Sequence, residues 1–191
     1  MNGASTMFKR IAAVAVALAA VLVAAPAEAA VPRLSAPVMC VRPDFPVTGS
    51  GWKVQAAVRE WNSAQRLIRL TTVIEPGCAT VHVHRYSTQD AQCGYTSWSR
   101  ATVRLTDDGS LMADGADIYL NDLCNPTGWG DGTHRKLYSK RLIAHELGHA
   151  LGLSHSTSYR SIMTTDMLLD PDKPLIAPVD VRALASLYRA R

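Results

Sequence analysis

Residues 145–155 read HELGHALGLSH, which sets His145, Glu146, His149, Gly152 and His155 at fixed intervals. Hydrolysis of an unactivated amide at neutral pH needs a water far more acidic than bulk water. Three neutral imidazoles on one face of Zn2+ leave a fourth position where such a water forms. On a helix, His145 and His149 are four residues apart and project from one face. Glu146 follows the first ligand directly, so it stands beside the metal as a base without displacing an imidazole. Gly152 accepts a backbone angle that residues with a β-carbon resist, which lets the helix stop and the chain turn. That turn brings His155 back as the third ligand. The spacing therefore predicts one catalytic Zn2+ on His145, His149 and His155, with Glu146 as general base. A closed structural zinc is the competing reading. Such a site takes a fourth protein ligand, commonly cysteine, and no cysteine follows Cys124.

The elements that must position these residues follow from periodicity. A helix over about Leu137 to Leu151 carries the first two histidines and turns Leu142, Ile143, Leu147 and Ala150 to a core. Trp52 to Arg66 reads as an earlier helix, with Val54, Val58, Trp61 and Ala64 three or four apart after the Ser50-Gly51 turn. Ile68 to Glu75 has the β-branched richness of a strand. Thr80 to Tyr86 alternates as a second strand; Ala101 to Leu105 and Ala116 to Asn121 are two more. His82 and His84 share one strand face, at a spacing that suits either a metal or two solvent-facing histidines. Residues 122–136 form a polar loop with Trp129 and His134, and residues 164–177 form another with Pro171 and Pro174. At the end of the chain Val181, Leu184, Ala185 and Tyr188 make one apolar helical stripe. Pro178 suits its first turn, and Asp180 suits the positive end of its dipole. Asp107, Asp108, Asp114, Asp117 and Asp131 are oxygen donors of the kind Ca2+ prefers. No D-x-D-x-D-G loop gathers them, so a Ca2+ site stays unassigned.

The start of the chain points to export. Lys9 and Arg10 precede an apolar run from Ile11 to Ala25, short of the roughly 20 residues of a membrane span. Ala27-Glu28-Ala29 then supplies a small-x-small cleavage pattern, so residues 1–29 read as a secretory signal peptide. Residues 30–191 form one domain, expected to be extracellular, with no membrane span once the leader is cleaved; an uncleaved anchor is the alternative. Loss of Lys9, Arg10 and Glu28 lowers the formal charge from +4 to +3. No basic run with interleaved aromatics appears, which argues against a nucleic-acid partner. Cys40, Cys78, Cys93 and Cys124 lie behind the leader, so two disulfides are expected, with three pairings open. Cys40–Cys78 with Cys93–Cys124 is the simplest, because its loops do not cross.

With Ser156 after the third histidine, HELGHALGLSHS is identified as the metzincin zinc signature and resembles the matrixin branch of those metalloproteases. Ser161-Ile162-Met163 resembles their methionine turn. Asp180-Val181-Arg182-Ala183-Leu184 and Leu187-Tyr188 resemble their last helix. The resemblance implies an α+β fold: a twisted, mostly parallel sheet of about five strands with an antiparallel edge strand, and three main helices. It implies an apolar floor at Met163 under the three imidazoles, and peptide-bond hydrolysis in an extended peptide or protein substrate by a monomer. By order along the chain, Gly94, Tyr95 and Thr96 match the edge strand with which substrate pairs. The pocket for the residue after the scissile bond would be walled by residues 164–177.

Departures from the pattern matter too. The family often has two adjacent acidic residues in its last helix, whereas Val181 follows Asp180, so a role for the second carboxylate is in doubt. The structural-zinc loop of the family has no clear counterpart. Cys40 lies in a segment loosely similar to the matrixin cysteine switch, without the flanking Pro-Arg and Gly, and a disulfide is the preferred reading. Two other functions share the zinc motif: a secreted zinc-binding module without turnover, and a zinc hydrolase acting on a non-peptide cell-wall amide.

Overall fold

A computed structural model describes residues 32–45, 53–88, 93–97, 103–105, 111–124, 133–165 and 175–188. The leader, Asp107, Asp108, Trp129, Asp131 and residues 166–174 of the second loop lie outside these residues, as do the side chains of Cys124 and His134. Among the described residues, no helix is long and apolar enough to cross a membrane.

Among the described residues, eight strands and three α-helices follow in the order β1 (Arg33–Leu34), β2 (Val38–Pro43), α1 (Val54–Ala64), β3 (Arg69–Thr71), β4 (Ala79–Tyr86), β5 (Gly94–Ser97), β6 (Val103–Leu105), β7 (Leu111–Ala113), β8 (Gly115–Asn121), α2 (Thr133–Ala150) and α3 (Pro178–Tyr188). Five strands form the main sheet in the order β3-β2-β4-β8-β5. The first four run parallel, and β5 closes the end antiparallel to β8, pairing Gly94 with Leu120 and Thr96 with Ile118. This is the architecture that the resemblance implies.

Alternation on β4 decides which face is dry. Ala79, Val81 and Val83 are buried, whereas Thr80, His82 and His84 are only partly so. The buried face joins Met39, Val41, Ile118 and Leu120 of neighbouring strands to Trp61 of α1 and Leu142, Ile143 and Leu147 of α2 in one core. Trp61 is fully buried, and its indole N–H donates to the Ala144 carbonyl at 2.9 Å, which fixes α1 against α2.

Several boundaries differ from the sequence reading. Helix α1 stops at Ala64 rather than Arg66, because Gln65 turns extended and its side chain takes over local bonding. Its Oε1 accepts from the Leu67 and Ile68 N–H groups, and its amide donates to the Ile68 carbonyl. The expected strand to Glu75 ends at Thr71. Beyond it the chain curls through Gly77, at φ 75°, to deliver Cys78 to Cys40 on β2, leaving Val73 and Ile74 exposed. Helix α2 begins four residues earlier than expected, so His134 falls in a helix and not in a loop. A second, three-stranded sheet in the order β1-β7-β6 was not legible, because strands this short carry no resolvable alternation.

The Cys40–Cys78 disulfide is present, which occupies the thiol a cysteine switch would need. Cys93 is also disulfide-bonded.

Candidate active site

The site is assembled at the C-terminal end of α2. The helix closes in a Schellman arrangement: Gly152 N–H bonds to the His149 carbonyl at 2.8 Å, and Leu153 N–H reaches back to the Gly148 carbonyl at 2.9 Å. Gly152 has φ 97°, and a β-carbon there would also meet the Pro32 carbonyl and Arg33 backbone at 3.1 Å. Glycine is required on both counts. The reversal carries His155 back beside the two helical histidines.

The three rings meet through their Nε2 atoms. Nε2 of His149 lies 3.1 Å from that of His145 and 3.2 Å from that of His155. Nδ1 of His145 bonds to the Ile162 carbonyl at 2.7 Å, and Nδ1 of His149 to the Leu153 carbonyl at 2.8 Å. A carbonyl oxygen only accepts, so in both rings Nδ1 carries a proton, and in the neutral form of each ring Nε2 presents a bare lone pair. Two bare lone pairs 3.1 Å apart repel unless a cation lies between them. The donor set therefore fits Zn2+, and this is the one group of three potential metal ligands found among the described residues. Burial pushes His145 down to about 4, helped by the neighbouring His149 and His155 and opposed by the bond to Ile162, so its ring is neutral at pH 7.

The turn Ser161-Ile162-Met163 meets the cluster through the Ile162 carbonyl. Met163 is buried, and its sulfur sits against Gly148, where a β-carbon would approach to 2.3 Å. The fourth residue of HELGH is thus glycine to admit the Met163 side chain. Asp180 of α3 fastens this turn. Its carboxylate accepts from the Ser161 hydroxyl, from Ile162 N–H at 3.1 Å and from Ala177 N–H at 2.8 Å. The Ile162 peptide unit is gripped at both ends, its N–H by Asp180 and its carbonyl by His145. The sequence reading credited Asp180 with a dipole interaction at a helix start. It does lie in the first turn of α3, and it is also buried and bonded across to another segment, a second role that no local pattern announces.

Glu146 faces away from the Met163 side, toward β5. Thr96 Oγ1 lies 2.9 Å from Glu146 Oε2 and 3.1 Å from its main-chain carbonyl. Gly94, two residues earlier on the same strand face, leaves room for the other oxygen: a β-carbon would stand 3.1 Å from Glu146 Oε1. Burial pushes the Glu146 carboxyl up to about 7, against the Thr96 bond that favours the charged form. Tyr95 points to the opposite face and stacks on Tyr119 at 4.7 Å between ring centroids.

The other metal candidates stand elsewhere. His82 and His84 stack at 6.0 Å, and His84 is engaged by Asp117 at 2.7 Å and by Asp44 at 3.3 Å. Asp114 accepts from the Ser35 hydroxyl just past the paired ends of β1 and β7. None of these three aspartates joins a three-donor group among the described residues.

A family model described as matrixin matches residues 52–189, from just before α1 to the end of α3. The chain belongs to the matrixin family. That match places it with the zinc metalloproteases and covers both the histidine cluster and the last helix. No curated protein matches the chain.

Proposed function

We propose that this matrixin is a secreted, monomeric zinc endopeptidase. His145, His149 and His155 hold the metal, and Glu146 is the general base. The observation that supports this most directly is the convergence of the histidine Nε2 atoms, two of them bared by Nδ1–carbonyl bonds, next to a buried carboxylate.

When bound, Zn2+ acidifies its water and polarises the scissile carbonyl. Glu146 takes a proton from the attacking water and later delivers it to the leaving amine. Its placement suits this double duty, because the carboxylate is buried beside the histidine cluster and held at one oxygen by Thr96. An extended peptide adds to β5 at the edge of the main sheet, where backbone groups of Gly94, Tyr95 and Thr96 align it. Met163 supports the rings from below.

The test is hydrolysis of casein or a quenched peptide by residues 30–191, beside Glu146→Ala, with zinc measured in both. Cleavage by the wild type, at least about a thousandfold lower in the variant at equal zinc, is expected. Zinc in both with cleavage by neither would assign a binding module, or a hydrolase of some other amide.

A further inference from the structure

Edge strands that receive a substrate are ordinarily read through their backbone. Here the side-chain pattern of β5 carries information of its own. Gly94 and Thr96 share the face turned to α2, and both meet the same carboxylate, one at each oxygen. Tyr95 is locked on the other face by its stack on Tyr119, which fixes the pleat and hence the side on which Thr96 emerges.

We propose that Thr96 is a positioning residue for Glu146, its hydroxyl holding the carboxylate in the orientation that catalysis uses. A threonine hydroxyl has one proton. With Glu146 ionised, that proton goes to Oε2, because a bond to a charged acceptor is the stronger of the two on offer. Oε2 is thereby occupied. Oε1, which has no hydrogen-bond partner among the described residues, is the oxygen left to take a proton from water. Gly94 completes the arrangement: a methyl group there would stand 3.1 Å from both Oε1 and Leu142 Cδ1, so it would crowd the carboxylate against the helix. A glutamate side chain has three rotatable bonds, and one helix face alone does not choose among its rotamers. The strand makes that choice, so the surface that aligns substrate also aims the base. Chemistry of this kind is sensitive to small misplacements.

This inference rests on the peptidase reading, and the experiment separates the two. Thr96→Val keeps the shape and removes the hydroxyl; Thr96→Ser keeps the hydroxyl; Gly94→Ala keeps Thr96 and crowds Oε1. For Val, kcat should fall about 10- to 100-fold with KM and zinc content unchanged. Ser should restore most of kcat, and Ala should lower it about tenfold. Crystal structures of the zinc-loaded variants should show the carboxylate moved in Val and Ala, and in place in Ser. Unchanged kcat in both Val and Ala overturns the proposal, and so does a rise in KM alone. Failure of Ser to rescue does the same. A wild type without peptidase turnover, but with a carboxylate that moves in Val and stays in Ser, would overturn the peptidase reading and leave the positioning role standing.

Discussion

The histidine side of the cleft and the carboxylate side are built from different materials. The rings are held by main chain: the Leu153 and Ile162 carbonyls fix two of them, and the Gly152 reversal places the third. The carboxylate is held by side-chain detail on a strand fifty residues earlier in the chain, a hydroxyl at one oxygen and a missing β-carbon at the other. Burial also acts on them with opposite sign. It makes His145 harder to protonate and Glu146 harder to ionise, because in each case it disfavours the charged form. In the metal-free protein burial thus favours the neutral form of two adjacent residues.

Removing a ring breaks the metal side outright. His149→Ala should lose stoichiometric zinc and at least about a thousandfold in turnover, because two ligands do not hold the ion at a catalytic site. Zinc analysis of the dialysed protein checks this.

Removing Asp180 should damage the histidine side and spare the carboxylate side. Asp180→Ala leaves Ile162 N–H and Ala177 N–H without a buried partner, so a loss of about 3 kcal/mol in denaturant unfolding is expected. Zinc affinity should drop about 10- to 100-fold, because Ile162 also orients His145. An unchanged zinc affinity would show that the turn holds its place without α3.

Acid–base behaviour of the metal-free protein tests the opposite signs. Glu146 rises from 4.5 to about 7 on folding, so its contribution to stability is full below pH 4.5 and is lost as pH climbs through 7. His145 falls from 6.5 to about 4, so its contribution is full above pH 6.5 and is lost as pH drops through 4. Between pH 4.5 and 6.5 the two slopes offset each other. Glu146→Gln removes one of them. Its stability relative to wild type should therefore rise by about 3 kcal/mol between pH 4.5 and 8, read by urea unfolding at each pH. A pH-independent difference would refute the burial argument.

The smallest effect is expected at the floor. Gly148→Ala drives a methyl group into Met163, which should cost about 1–2 kcal/mol after the gain in helix propensity is counted. The double change Gly148→Ala with Met163→Ala should recover part of that loss, a coupling that thermal unfolding of all four proteins would measure.

Much of the metal side was legible because it is local. His145, Glu146, His149, Gly152, His155 and the Ser161-Ile162-Met163 turn lie within nineteen residues, and helical geometry with one glycine reversal brings them together. The alternation of β4 was readable for the same reason, and so was half of the expected stripe of α3: Leu184 and Tyr188 are buried, Val181 and Ala185 only partly, and Asp180 takes the third buried position. Partnerships across the sheet were another matter. Asp180 has the same sequence signature whether it caps a helix or grips a distant turn. Thr96 gives no sign of meeting Glu146, since a strand's neighbours depend on sheet order and that order is set by packing. The early end of β3 depends on which cysteine its loop must reach, which the three open pairings left undecided. Sequence alone brought His145, His149 and His155 into one candidate donor set, because their spacing is within the reach of one helix and one turn. Tertiary structure decided what aims and steadies that set, because those contacts join segments whose separation in the chain says nothing about their distance in space.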